Sequence, residues 1–232
     1  MDVGADLGGH RVLSRYHALA MCNLYRMTSN AQAIAGLFRT DVAGRNLPSL
    51  TEIYPDSEAP VVVSEGACRA LAMMRWGWPP FGEGRRPITN VRNLASPMWR
   101  SALSDPARRC LVPVTAFSEW SAAPDPKTGR KRKHWFDLRA DSPEGDPLFA
   151  FAGLWRHTEE GPRFAFLTCA PNETVGRIHP KAMPVLLRPG EAFDRWLSAD
   201  GAGAAAMQVP LDDALMREVP GDEPPPAQAS LF

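Results

Sequence analysis

LFAFAGLWRHTEEGPRFAFLT, residues 148–168, decides the fold class. Residues 148–154 and 164–168 run apolar or alternate over the length of a strand, and residues 134–138 do the same upstream. Working outward, residues 61–63 begin a short strand that Ser64-Glu65-Gly66 turns back, and residues 70–76 read as its return. Residues 110–114, 117–120 and 183–187 add further strands. Helical spacing is confined to short pieces. Residues 28–39 carry a helix-capping residue and then Ile34, Leu37 and Phe38 at helical spacing; residues 101–107, 174–178 and 191–197 are the other helical candidates. Many short strands with few helices predict an α+β, strand-rich mixed single domain whose antiparallel sheets form a barrel-like core. Strand and helix do not alternate strictly, and neither a Gly-x-Gly-x-x-Gly turn nor a P-loop is present. A doubly wound nucleotide-binding sheet is therefore disfavoured.

The 232 residues suit one domain with tails, and 44% hydrophobic with 22% charged residues is ordinary for a folded protein. No run of 18 apolar residues predicts a membrane span, and residues 1–20 lack the apolar centre of a secretory signal, so a cytoplasmic address is expected. Net charge is zero but unevenly placed: 24 of the 26 basic residues, against 18 of the 26 acidic ones, precede Glu191. Arg85, Arg86, Arg92, Arg100, Arg108 and Arg109 crowd one stretch and residues 130–133 another, which suffices for local phosphate binding. Residues 218–232, rich in Pro, Asp and Glu, read as a flexible tail.

Cys22, Cys68, Cys110 and Cys169 lie far apart, with no Cys-x-x-Cys knuckle, so neither a disulfide framework nor a metal site is expected, and no cofactor is called for. Cys68, Cys110 and Cys169 sit in apolar stretches and read as small buried residues. Cys22 follows Met21 directly, and methionine is removed readily before a small residue. A free α-amine and a thiol on one residue make a 1,2-aminothiol, which takes up an aldehyde as an imine and then closes through sulfur to a thiazolidine. The amine and thiol titrate near 8 and 8.5, so both are partly reactive at neutral pH. An ordinary buried thiol in a first strand is the alternative.

Four further segments stand in order: Trp76-Gly77-Trp78; Asn90-Val91-Arg92-Asn93; residues 109–113 leading into Phe117-Ser118-Glu119-Trp120; and Thr168-Cys169 before Ile178-His179-Pro180-Lys181-Ala182-Met183-Pro184-Val185. With Met21-Cys22 at the head, this order resembles the SOS-response-associated peptidase (SRAP) family, whose members cross-link to abasic sites. The resemblance spans roughly residues 21–197. It implies a barrel-like SRAP fold and an abasic-site sensor in single-stranded DNA, with a lyase-like cross-linking activity and a self-processing peptidase activity. By resemblance, Cys22 forms the thiazolidine, Asn90 hydrogen-bonds the opened sugar, Glu119 manages proton transfers and His179 shuttles protons to the sugar. Arg92 matches a phosphate-binding arginine and Thr168 a supporting hydroxyl.

Arg26 and Lys181 are further phosphate contacts expected from their charge, and Trp76, Trp78 and Trp120 offer ring faces for base stacking or for core packing. Taken singly, His179 also reads as a core histidine, Glu119 as a surface glutamate and Asn90 as a loop residue. A cysteine peptidase or amidase using Cys22, His179 and Asn90 or Glu119 stays open, as does a noncovalent single-strand binding module. Residues 1–20 show no periodicity and read as a non-native or cleaved extension, because an acylated Cys22 nitrogen cannot close the ring. Residues 21–200 then form the catalytic and DNA-binding domain, and residues 201–232 a C-terminal segment and tail. The tail ends in Gln228-Ala229-Ser230-Leu231-Phe232, which resembles the Gln-x-x-Leu-Phe peptide that docks on bacterial sliding clamps. The expected partners are thus abasic single-stranded DNA and the clamp. A monomer working at the nucleoid during repair is expected.

Overall fold

The computed structural model describes residues 22–42, 47–80, 82, 85–139 and 148–220. In chain order these form β1 (Tyr25–Met27), α1 (Ala31–Phe38), β2 (Thr40–Asp41), β3 (Leu50–Ile53), β4 (Glu58–Glu65), β5 (Cys68–Trp76) and β6 (Asn90–Val91). There follow α2 (Pro97–Ser104), β7 (Arg109–Val114), β8 (Ala116–Trp120), β9 (Lys133–Leu138), β10 (Phe149–Thr158) and β11 (Gly161–Cys169). The chain continues through α3 (Glu173–Gly176), β12 (Met183–Pro184), β13 (Leu186–Leu187), α4 (Glu191–Ser198), α5 (Gly201–Ala205) and β14 (Met216–Val219).

The stretch that decides the fold class is the hairpin β10–β11, paired from Gly153↔Phe166 to Thr158↔Gly161. β10 pairs with β7, β7 with β4 and β4 with β5, all antiparallel. β5 then meets β11 in parallel at Arg75↔Arg163 and Trp76↔Phe164, which closes a five-stranded barrel. Closure leaves those strands without an open edge and turns one face of each inward. The interior is aromatic: Tyr25 stands edge-on to Trp76 at 5.2 Å, Trp76 stacks on Phe166 at 5.1 Å, and Phe166 meets Phe151 at 4.5 Å. A second sheet, in the order β14-β9-β8-β1-β3, packs beside the barrel. The strand-rich α+β class read from the sequence is the architecture found.

Several boundaries differ, each for a local reason. α1 starts at Ala31 because the Asn30 side chain is the cap and accepts from the Ala33 amide at 2.8 Å. Residues 183–187 form two short strands. β12 pairs with β11 and β13 with β10, and at the step between them the Val185 amide donates to the Leu167 carbonyl. Cys110 and Cys169 are buried, but Cys68 is exposed, because it opens β5 directly after the Gly66 turn. Residues 201–219 belong to the folded domain: α5 packs on α2, and Glu218 and Val219, assigned to the tail by composition, pair with Phe136 and Trp135. Arg217 locks that strand with two hydrogen bonds to Asp137, at 2.8 and 3.2 Å. Residues 1–20 and the Gln228, Leu231 and Phe232 peptide lie outside the described residues.

Gly77 joins β5 to the segment carrying the site. Its φ is +111°, and a Cβ there would stand 2.6 Å from the Pro87 Cβ. Its amide donates to the Phe164 carbonyl and its own carbonyl accepts from the Arg163 guanidinium, so the backbone cannot move away. Gly77→Ala is expected to cost about 2–4 kcal/mol, from the left-handed backbone together with the steric clash. A urea-unfolding midpoint equal to that of the parent would refute this.

Candidate active site

β1 places the first site residue. It pairs antiparallel with β8 at Tyr25↔Phe117 and Arg26↔Ala116, and the Ser118 amide extends the contact to the Leu24 carbonyl at 3.0 Å. Running β1 back toward its start therefore carries Cys22 alongside Glu119. Along β8 the side chains alternate, so Glu119 shares the core-facing side of Phe117. Glu119 is 1% exposed and Cys22 is equally buried.

Asn90 arrives from the opposite wall. β6 adds to β11 in parallel, at Asn90↔Phe166 and Val91↔Leu167, and the Asn90 Nδ2 donates to the Cys22 carbonyl at 3.2 Å and to Thr89 Oγ1 at 2.8 Å. His179 comes from the turn after α3. That helix is capped by Asn172, whose side chain accepts from the Val175 amide, and by Asp213, which accepts from the Glu173 and Thr174 amides. The His179 amide closes on the Val175 carbonyl, and the Ala122 amide ties the Ile178 carbonyl to the end of β8. His179 Nδ1 thereby stands 3.8 Å from Glu119 Oε2, close but beyond a hydrogen bond.

Burial dominates the electrostatics. It pushes the Glu119 carboxyl well above its ordinary 4.5, which favours the protonated acid. Burial, reinforced by the Glu119 charge, also pushes the Cys22 thiol up, against a weak hydrogen bond to the Leu24 carbonyl. Burial lowers His179, opposed by a hydrogen bond to the Trp120 backbone, and the Lys181 and Lys131 charges lower it further. All three shifts favour the uncharged forms, a thiol, a carboxylic acid and an imidazole, a set that can donate and accept protons. Glu119 Oε1, His179 Nε2 and Asn90 Oδ1 are buried and have no hydrogen-bond partner among the described residues. Buried polar atoms are almost always satisfied, and three such atoms beside one thiol are groups that a ligand could engage.

The remaining candidates separate by exposure. Arg92 and Lys181 are exposed cations and Trp120 is half-buried at the end of β8. Thr168 is fully buried. Trp76 and Trp78, 0% and 2% exposed, are core residues and present no face for a base; Trp78 packs on Trp99 at 4.4 Å. Their large apolar area is worth more inside the barrel than at its rim. Arg26 is buried too, with its guanidinium 3.6 Å above the Trp135 ring, a stacking arrangement rather than an open phosphate contact. Arg109, from the basic stretch, is likewise structural, donating to the Trp196 and Ala199 carbonyls at the end of α4. Asn172, Asp213 and Gln208 were not singled out by the sequence reading. Asn172 carried a usable signal, a capping residue before a short helical run; the other two act across long sequence separations.

Two solved structures share the fold. A protein from Bacteroides thetaiotaomicron superimposes with a TM-score of 0.69 at 21% identity, covering 85% of this chain and 90% of its own. A phage-related protein from Bordetella bronchiseptica gives 0.63 at 20% identity, covering 87% and 95%. No curated protein matches the chain. The sequence signature of the SOS response associated peptidases matches residues 21–221, taking in every element from β1 to β14 and all four converging residues. The chain belongs to the SOS response associated peptidase (SRAP) family.

Proposed function

We propose that the protein captures abasic sites in single-stranded DNA as a thiazolidine on Cys22, once the Cys22 amine is free. The observation that carries the reading is the meeting of a buried thiol with Glu119, His179 and Asn90, three of whose polar atoms await partners. The chemistry needs a group that opens the sugar, one that expels water and one that orients the amine. Neutral His179 moves the proton of the anomeric hydroxyl to the ring oxygen, releasing the aldehyde. The Cys22 nitrogen adds to the aldehyde carbon. The Glu119 acid protonates the carbinolamine hydroxyl, which leaves as water and yields an iminium ion. Sulfur then bonds to the iminium carbon, and the thiol proton returns to Glu119. Asn90, bonded to the Cys22 carbonyl, fixes the residue that bears both nucleophiles.

Hydrolysis of the peptide bond before Cys22 by the same groups is the self-processing step that frees the amine, in keeping with the peptidase in the family name. Arg92 and Lys181 flank the site as exposed cations suited to strand phosphates, with Trp120 as the stacking surface. The Gln228, Leu231 and Phe232 peptide is proposed to dock on the sliding clamp.

The test uses protein beginning at Cys22, incubated with an abasic single strand and with an intact one, on a denaturing gel. A retarded band on the abasic strand alone is expected. Equal noncovalent affinity for both strands and no retarded band would instead indicate a binding module.

A further inference from the structure

Gln208 lies outside the group of residues that meet at Cys22, yet it ties β6, which carries Asn90, to β11. It follows α5, and its Nε2 donates to the Arg92 carbonyl and to the Thr168 carbonyl, both at 2.8 Å. Those carbonyls stand one residue beyond the last pair of the β6–β11 ladder, Val91↔Leu167. Thus a side-chain amide continues a ladder that the backbone stops making. The contribution is large in proportion, because β6 is only two residues long and its pairing with β11 opens on a 3.3 Å bond from the Phe166 amide to the Thr89 carbonyl. Two residues of strand are a weak clamp for Asn90, whose Nδ2 must stay on the Cys22 carbonyl. Gln208 is itself fixed: its amide closes on the Ala205 carbonyl, α5 is capped by Asp200 on the Gly203 amide, and Gly201 lies against Ser104 of α2. The fork is specific, since both targets are acceptors and only a double donor of this reach satisfies them.

We infer that Gln208 is a positioning residue: it pins Arg92 and, through β6, Asn90 against Thr168, so that the C-terminal segment sets the geometry of the Cys22 site. The kinetic part of this inference rests on the function proposed above; the structural part does not. Gln208→Met keeps the length and removes both donors. Gln208→Glu keeps one donor only while its carboxyl is protonated.

The experiment uses the full chain beginning at Cys22, with three readouts: hydrogen exchange, the single-turnover cross-linking rate constant at saturating abasic strand, and the cross-linked amplitude. In Gln208→Met the Phe166 amide is expected to exchange about tenfold faster relative to Phe151, a difference that about 1.4 kcal/mol of local opening produces. The rate constant is expected to fall about tenfold with amplitude nearly preserved. In Gln208→Glu the rate constant, taken as a ratio to the parent's at the same pH, falls further as pH rises through the carboxyl titration. A lower amplitude with an unchanged rate constant means a stability role alone and overturns the inference, as does unchanged exchange at Phe166. If the parent itself forms no cross-link, the proposed function fails, and the exchange result still decides whether Gln208 holds β6.

Discussion

Serine in place of Cys22, in protein beginning at that residue, is expected to reduce the denaturation-resistant cross-link by about 100-fold or more, since the covalent nucleophile is lost. The amine survives the substitution, so the aldehyde is still captured as an imine. What disappears is ring closure: an alkoxyl closes to an oxazolidine that reopens in water, whereas the carbon–sulfur ring persists. Reduction with borohydride separates the two steps. It should restore a retarded band in Cys22→Ser and leave Cys22→Ala likewise trappable, because both keep the amine. A Cys22→Ser cross-link as resistant as the parent's, without reduction, would remove sulfur from the mechanism. The substitution is also mild for the fold. Serine is close to cysteine in size, and the Sγ makes only a 3.8 Å contact with the Leu24 carbonyl. Loss of the band is then not loss of the protein, and near-unchanged thermal unfolding is the control.

Glu119→Gln is expected to be the second large effect and to act in opposite directions on activity and stability. The variant can neither protonate the carbinolamine hydroxyl nor take the thiol proton, so the rate constant should drop about 100-fold or more, the range for a lost general acid–base group. For stability, the sign follows from burial. The folded-state carboxyl is held above its ordinary 4.5, so the folded protein keeps a proton that the unfolded chain releases. The contribution of Glu119 to stability is therefore fully present below pH 4.5 and is lost as pH rises through the folded-state value. Glutamine is neutral throughout and escapes that loss. The variant should match the parent near pH 4 and exceed it at pH 7–8, by a margin that widens with pH. Thermal unfolding across pH 4–8 checks this, and curves that stay parallel would show that Glu119 is not buried as an acid. A residue kept at the expense of stability is the pattern expected where chemistry requires it.

The strands were legible because alternation and apolar runs are local properties of the chain. Residues 148–154 and 164–168 had only one way to hide both their phenyl faces, and they became β10 and β11. The Cys22, Asn90, Glu119 and His179 set was legible only as an ordered series of motifs matching a family. Glu119 taken singly reads as a surface glutamate, with only Phe117 and Trp120 beside it to suggest burial; that burial is imposed by β1 on one side and by the turn after α3 on the other. Trp76 and Trp78 show the reverse error. Aromatic residues beside a candidate site read equally as stacking platforms and as core, and the core took both. Arg26 went the same way, drawn over Trp135 by the sheet it lies in.

The C-terminal segment is the plainest case of composition misleading. Residues 218–219 sit at the head of a Pro- and acid-rich stretch, yet pairing with β9 and the Arg217–Asp137 contact hold them in the sheet. Gln208 is 116 residues from Arg92 and 40 from Thr168, and no periodicity or motif connects them.

The sequence by itself determined that the chain makes a strand-rich domain and, through the order of its motifs, which residues are candidates for its site. The first follows from local pattern, the second from the motif series. Only the tertiary structure decided which candidates share one dry volume, which tryptophans and arginines are spent on packing, and that a glutamine beyond α5 steadies the strand under Asn90. Burial and cross-chain hydrogen bonds are properties of neighbours in space. The barrel's closure through β5 and β11 chooses those neighbours.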